Sequence, residues 1–219
     1  MDKSKNLPVN WTKLFHMLCS VIPQMGSRWF FCFGTLLTLV RDKGTFPERD
    51  DVDIGVFYEE TGEECIRQIC RLCGFKEDKR IINDIDKKPL YVSLSPNKDC
   101  AQDVGDVHID IFFWYKHRKQ RYHTYDINFE NPKSGIPKTY YFKGIDASLL
   151  EEYTSIEDIA GSMMEGKIPL RYGTILDIWY PHWLQRRKEV SAAPYILKCK
   201  SCAELHANRY EKVQWPESA

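Results

Sequence analysis

The sequence lacks an excess of charge of either sign, a long apolar run and any repeated or low-complexity segment. Lysine plus arginine and aspartate plus glutamate each number 31 among 219 residues, so no overall field favours nucleic acid or an anionic membrane. No stretch approaches the roughly 18 apolar residues that span a bilayer. No apolar signal-peptide core follows the polar residues 1–8. We therefore expect a soluble, cytoplasmic protein with no nucleic-acid partner and no transmembrane segment; its oligomeric state is left open.

Cysteine is not scarce, and its eight copies admit three interpretations. The spacing of Cys70 and Cys73, and of Cys199 and Cys202, fits a four-thiolate zinc site. However, the two pairs stand far apart, and the first lies in an amphipathic helix pattern where cysteine is a common buried residue. Buried thiols are therefore favoured over zinc, and also over disulfides, which do not persist in a reducing cytosol.

The most informative pattern is the alternation of acidic and apolar residues that begins at Asp51 and continues through Asp53. Because strand side chains alternate between the two faces of a sheet, both acids project to the same face, about 7 Å apart. Two such carboxylates repel each other and are costly to desolvate. A hard divalent cation, Mg²⁺ or Mn²⁺, would offset that cost, and so the pattern predicts a metal site.

A third acid, Asp110, stands in the middle of residues 107–115, a β-branched and aromatic run typical of a buried strand. If this strand lies beside the first, Asp51, Asp53 and Asp110 converge at one edge of a sheet. Metal-dependent phosphoryl transfer uses such an arrangement. The alternative is that Asp51 merely caps its strand and Asp110 pairs with a buried lysine or arginine. We favour the metal site, because the alternative needs a separate explanation for each acid.

Upstream, Gly34 and Thr35 follow a short predicted strand and precede a predicted helix. The amides at a helix N-terminus are unpaired and carry the positive end of the dipole, so they suit a phosphate. Gly34 permits close approach of the backbone, and the Thr35 hydroxyl adds a hydrogen bond. Arg41, farther along the helix, either clamps a phosphate or is a surface or ion-paired arginine.

Aromatic residues near the C-terminus are the last candidates for substrate contact. Tyr172, Trp179 and Trp183 either stack on a base or sugar or belong to the core, which is the more frequent role at this spacing. The surrounding periodicity and turn residues predict the secondary structure. We predict helices over 11–22, 36–42, 59–73, 146–164, 172–189 and 195–215, strands over 29–33, 51–58, from 75, 90–94 and 107–115, and hairpins over 116–121 and 122–142.

Several motifs together resemble one known family. They are Gly34-Thr35-Leu36-Leu37, Arg41, Lys43-Gly44, Pro47 and the acidic run 50–55. These motifs resemble the LicD/fukutin family of the nucleotidyltransferase-fold superfamily, and the aromatic run after Asp110 is most like its fukutin branch. The chain departs from the bacterial pattern at Glu48-Arg49, where those relatives have Trp-Asp. That departure affects the lining of the site entrance and hence the substrate.

The resemblance implies a fold as well as a reaction. The fold would be α+β and nucleotidyltransferase-like, with a mixed central β-sheet flanked by helices and a helical C-terminal portion. Residues 1–219 would form a single domain, with a catalytic core over 28–115 and a hairpin and helical extension over 116–219. The reaction would move a phospho-substituent, such as phosphocholine or ribitol 5-phosphate, from a CDP-activated donor to a glycan hydroxyl.

The resemblance also implies a role for each candidate residue. Asp51 and Asp53 would hold the metal, and Asp110 would be a further ligand or the base that accepts the acceptor's proton. The substrate would be bound by Gly34, Thr35, Arg41 and Tyr172. Two alternatives stay open: nucleotidyl transfer to a small molecule, protein or nucleic acid, and a non-catalytic nucleotide-binding homologue.

Overall fold

A computed structural model describes residues 11–21, 28–42, 51–82, 87–117, 120–122, 124–127, 138–141, 145–157, 163–180 and 183–184. In chain order they form α1 (Trp11–Val21), β1 (Trp29–Phe31), α2 (Phe33–Arg41), β2 (Asp51–Phe57), α3 (Tyr58–Thr61), α4 (Glu64–Cys73), β3 (Phe75–Ile82), β4 (Pro89–Pro96), α5 (Lys98–Val104), β5 (His108–His117), β6 (Gln120–Tyr122), β7 (Thr124–Ile127), β8 (Lys138–Tyr141), β9 (Ile145–Asp146), a 3₁₀ turn (Ala147–Leu150), β10 (Tyr153–Glu157), β11 (Met163–Pro169) and α6 (Tyr172–Trp179). None of these helices has the length and apolar character needed to cross a bilayer.

A seven-stranded mixed sheet forms the centre of the fold. Its main path runs β1-β2-β5-β4-β3, while β6 pairs with β5 and β9 pairs with β6. The pairing of β2 with β5 is parallel, and the other pairings along the path are antiparallel. The prediction of a mixed central sheet flanked by helices is therefore confirmed. The division into a catalytic core and a C-terminal extension stays a prediction.

An aromatic layer covers one face of the sheet behind the acidic strand ends. Phe112 and Trp114 share this face with Asp110, because they follow it at intervals of two on β5. Phe33 of α2 packs on both rings, at centroid distances of 4.8 and 5.9 Å. Trp179 of α6 lies 4.6 Å from Phe33 and 5.8 Å from Trp114. The layer thus attaches α2 and α6 to the sheet.

The opposite face of the sheet is apolar throughout its centre. Four apolar side chains alternate with the acids along β2 and β5 and are fully buried: Val52, Ile54, Ile109 and Ile111. Each such side chain contributes about 1.5 to 3 kcal/mol on burial. This pattern fixes which face the acids occupy, because a one-residue slip would expose the apolar set.

The structure corrects the predicted start of α2. The helix begins at Phe33 rather than at residue 36, so Gly34 and Thr35 lie in its first turn. Cys32 at the N-cap is extended and gives no side-chain cap, and Phe33 has a left-handed φ of 42°. The usual N-cap residues are absent here. The burial of Phe33 in the aromatic layer therefore sets the start of this helix, which no local pattern indicates.

The prediction over 59–73 is partly wrong. Two helices, α3 and α4, replace the single one, and Gly62, with φ of 53°, ends the first. Gly74 ends α4 in a left-handed conformation, at the predicted end of the helix. Helix α5 was not predicted, although Asn97 is a regular N-cap whose side chain accepts from the Cys100 amide at 2.8 Å.

The C-terminal predictions have mixed outcomes. The helix predicted over 146–164 is wrong: this region contains β9, a 3₁₀ turn and the start of the hairpin β10–β11. Strand β10 carries the β-branched residues Thr154 and Ile156, which favour strands once a partner is present. Helix α6 ends at Trp179 rather than at 189. The predicted hairpins are present as β5–β6 and β7–β8, and the helix predicted over 195–215 lies outside the described residues.

The cysteines in the described part of the chain are free thiols. Cys65 and Cys73 are buried on α4, and burial raises the pKa of both thiols to about 12. Those findings agree with the favoured interpretation, buried thiols. Because Cys199 and Cys202 lie outside the described residues, a zinc site that includes them stays untested.

Gly55 offers a test of packing behind the acids. An added Cβ would stand 2.5 Å from Cζ of Phe30, a fully buried ring packed against Trp114. We expect Gly55→Ala to lower the free energy of unfolding by about 1 to 3 kcal/mol, as overpacked cores do. The measurement is equilibrium unfolding in urea.

Gly173→Ala is the matched control for that substitution. A Cβ at Gly173, in the first turn of α6, meets nothing within 4 Å. Replacing a helical glycine by alanine is expected to leave stability unchanged or raise it by up to about 1 kcal/mol. Equal unfolding midpoints for the two variants would contradict the close packing of Phe30 on Gly55.

Candidate metal centre

Two parallel strands bring three acids together at one edge of the sheet. In the β2–β5 register Asp53 stands opposite Asp110, and Asp51 stands opposite His108. One carboxylate oxygen from each of Asp51, Asp53 and Asp110 lies within 4.8 Å of the others. This spacing is tighter than the strand repeat of about 7 Å between alternate residues, so the side chains lean towards one point. Among the described residues, this is the only group of three potential metal ligands of this kind.

Asp53 is held by the first turn of α2. The Thr35 amide donates to Oδ2 of Asp53 at 3.0 Å, and the Thr35 hydroxyl donates to the same oxygen at 3.3 Å. In return the Asp53 amide donates to the Thr35 hydroxyl oxygen at 2.8 Å. Both residues are buried, with Thr35 fully enclosed and Asp53 only 5% exposed. The two residues form a closed reciprocal pair between helix and strand.

Asp110 is held from the neighbouring antiparallel strand. The Tyr91 and Ser93 hydroxyls both donate to Oδ1 of Asp110, at 2.9 and 2.7 Å. These contacts differ from the alternative in which Asp110 pairs with a buried lysine or arginine. Burial raises the pKa of Asp110, the two hydroxyl hydrogen bonds lower it, and the negative charge of Asp51 raises it again. The net shift of the pKa is upward.

Neighbouring groups also sense the negative potential of the acids. Burial raises the pKa of the Cys32 thiol well above its usual value, and the charges of Asp53 and Asp110 raise it further. The pKa of Tyr91 is raised by burial and then by the charge of Asp110. Carboxylates that disfavour every nearby anion create an environment that favours a cation.

Three residues on the same sheet face as the acids were not predicted: Tyr91, Ser93 and His108. Tyr91 and Ser93 alternate with apolar residues on β4, and Ser95 continues that series. Ser95 Oγ lies 3.2 Å from His108 Nδ1. A row of hydroxyl residues at intervals of two, on a strand otherwise apolar, is the sequence feature that could have identified them.

The remaining predicted substrate residues make contacts of their own. Arg41 donates from Nε to both oxygens of Asp42, and its Nη2 lies 2.7 Å from Oδ2, which matches the ion-paired alternative. Tyr172 is partly buried against the core, and Trp179 is fully buried within the aromatic layer. Trp183 donates from its indole to Asp177 at 2.9 Å. Trp179 is thus a core residue, whereas the roles of Arg41 and Tyr172 in binding stay predictions.

The chain is similar to known proteins at two levels, a family model and a distant solved structure. A solved structure titled "Crystal structure of lincosamide antibiotic adenylyltransferase LnuA, lincomycin-bound" is 14% identical, covers 74% of this chain and 82% of its own, and has a TM-score of 0.42. That similarity is too low to carry an argument. No curated protein matches the chain significantly. A family model described as "LicD/FKTN/FKRP, nucleotidyltransferase domain" matches residues 26–151, more than half of the 219 residues and including all three acids. The chain therefore belongs to the LicD/FKTN/FKRP nucleotidyltransferase-domain family.

Proposed function

We propose that this protein is a metal-dependent transferase that moves a phospho-substituent from a CDP-activated donor to a glycan hydroxyl. The observation that carries the proposal is the convergence of Asp51, Asp53 and Asp110 within 4.8 Å, inside a domain of the LicD/FKTN/FKRP family. The family includes transferases that use CDP-activated donors. The candidate transferred groups are phosphocholine and an alditol phosphate such as ribitol 5-phosphate.

The three acids fit a divalent cation by their chemistry. Carboxylate oxygens are the ligands that Mg²⁺ and Mn²⁺ prefer. Oδ1 of Asp110 already accepts two hydrogen bonds, so its Oδ2 would bind the metal, and Asp53 is held in place by the hydrogen bond from the Thr35 amide to its Oδ2. When bound, the ion would neutralise charge on the non-bridging oxygens and on the leaving phosphate.

The protein's own residues would bind and orient the donor. Gly34, a buried residue in the first turn of α2, lies at the positive end of the helix dipole, where its backbone would approach the diphosphate. The single proton of the Thr35 hydroxyl is directed at Asp53, so its proposed contact with phosphate requires that bond to be exchanged. Arg41 and Tyr172 stay proposed substrate contacts, and Asp110 stays a proposed ligand or base.

Nucleotidyl transfer is the second candidate, because the matched domain is described as a nucleotidyltransferase domain. Product analysis distinguishes the two reactions. The protein is incubated with Mn²⁺, a glycan acceptor and, in turn, CDP-choline, CDP-ribitol, CDP-glycerol, CTP and ATP. Release of CMP with a mass increase of the acceptor supports phospho-substituent transfer, whereas release of pyrophosphate supports nucleotidyl transfer. Absence of Mn²⁺ binding in calorimetry would contradict both and favour a non-catalytic homologue.

A further inference from the structure

Two hydroxyls of β4 donate hydrogen bonds to the same oxygen of the Asp110 carboxylate. Tyr91 and Ser93 both donate to Oδ1, at 2.9 and 2.7 Å. A carboxylate oxygen has two lone pairs in its plane, so two hydroxyl donors occupy its acceptor capacity. Oδ2 is therefore the oxygen of Asp110 that remains for a metal.

The sheet itself fixes both donors. In the antiparallel β4–β5 register Ser93 stands opposite Asp110, and Tyr91 stands opposite Phe112. Ser93 is only 6% exposed, and the Tyr91 ring packs 5.2 Å from the Phe112 ring. Paired strands hold these hydroxyls in place, so little side-chain entropy is lost when they bind the carboxylate. The arrangement has the features of a preorganised support for a ligand.

We propose that Tyr91 and Ser93 are positioning residues of the metal centre, which saturate Oδ1 of Asp110 and present Oδ2 as its single metal-binding oxygen. Thr35 holds the neighbouring acid in a comparable way, through two hydrogen bonds to Oδ2 of Asp53. This inference rests on the proposed metal-dependent function.

The test is Mn²⁺ binding to the whole chain. Binding is measured as the decrease of the free-ion signal in electron paramagnetic resonance. The variants are Tyr91→Phe, Ser93→Ala and the double variant, each of which removes hydroxyls and leaves the strand intact. We expect each single variant to weaken Mn²⁺ binding and the double variant to weaken it by about 10- to 100-fold, the usual effect of losing outer-shell partners. The spectrum of the bound ion is expected to change as well. Ser93→Thr keeps a hydroxyl and is expected to restore near wild-type affinity.

Two matched controls separate positioning from general damage. Tyr153→Phe removes a tyrosine hydroxyl that donates to the Leu150 carbonyl, and Ser95→Ala removes a β4 hydroxyl that contacts His108 instead of Asp110. Both are expected to bind Mn²⁺ with wild-type affinity. Thermal unfolding without metal identifies any variant that is not folded, and the folded single variants decide the result if the double variant is lost.

The outcomes distinguish failure of this inference from failure of the proposed function. If the wild type binds Mn²⁺ and the folded Tyr91→Phe and Ser93→Ala variants bind it with unchanged affinity and spectrum, the positioning role is wrong while the metal-dependent function stands. If the wild type does not bind Mn²⁺ at all, the proposed function is wrong, and the positioning role falls with it. Equal loss of affinity in Ser95→Ala and Ser93→Ala would also overturn the assignment to Asp110.

Discussion

Asp53→Asn is expected to abolish Mn²⁺ binding and to lower turnover of any accepted donor by more than about 100-fold, since losing outer-shell partners alone costs about 10- to 100-fold. Asparagine has nearly the same shape but only one acceptor oxygen. The amide and hydroxyl of Thr35 both donate towards this side chain, so they take that oxygen. The NH₂ group then replaces the other carboxylate oxygen, and a hydrogen-bond donor cannot act as a metal ligand.

The measurements for this variant are calorimetric Mn²⁺ titration and the rate of CMP release. Asp103→Asn is the matched control, because Asp103 forms an ion pair with Lys13 and both side chains are exposed. An exposed pair of this kind contributes at most about 1 kcal/mol, so the control is expected to keep wild-type binding and turnover. Unchanged turnover in Asp53→Asn would show that the acids are not the catalytic centre.

The acids could be placed from the sequence because their position depends on two strong patterns. The run from Asp51 alternates strictly, and the strand around Asp110 is apolar and aromatic except for that one acid. In each strand a one-residue slip would move the apolar side chains to the wrong face, so the register follows from burial. The sequence did not show whether the two strands are neighbours. The structure shows that they are, because β2 and β5 pair in parallel.

The residues that support the acids could not be placed in the same way. Tyr91 and Ser93 meet Asp110 through an antiparallel pairing between segments that are 17 to 19 residues apart. The sequence identified the strand but not its neighbour or its register with β5. Thr35 illustrates the same difficulty, since the residue predicted to contact phosphate directs its hydrogen bonds to an acid 18 positions away.

The regions predicted incorrectly lack strong local patterns. Helix α2 begins at a phenylalanine with a left-handed φ, a conformation that only surrounding packing can stabilise. The segment 146–164 begins with the end of β9, which pairs with β6 earlier in the chain, and continues with β10, which pairs with β11 in a hairpin that extends beyond the segment to Pro169. β9 and β10 have two and five residues, too few for periodicity to distinguish a strand from a helix. In both cases tertiary contacts determine the local structure.

A second large effect on stability is expected from a substitution at Trp179, which lies beyond the residues 26–151 that the family model matches. Its side chain is fully buried between Phe33 and Trp114, so α6 belongs to the same core as the acids. Trp179→Ala is expected to lower the free energy of unfolding by about 3 to 5 kcal/mol, the usual cost of truncating a buried tryptophan. Equilibrium unfolding in urea measures it.

The same substitution tests whether the aromatic layer supports the candidate metal centre. Phe33, which loses its neighbour on α6, begins the helix whose first turn holds Asp53 through Thr35. We therefore expect folded Trp179→Ala protein to bind Mn²⁺ more weakly than wild type, whereas Trp179→Phe, which keeps an aromatic ring in contact with Phe33, is expected to retain most of the stability and the affinity. Leu184→Ala is the control, because that side chain is 74% exposed and its loss changes stability by no more than about 0.5 kcal/mol. If Trp179→Ala matched Leu184→Ala in unfolding and in Mn²⁺ affinity, α6 would not be part of the core that holds the acids.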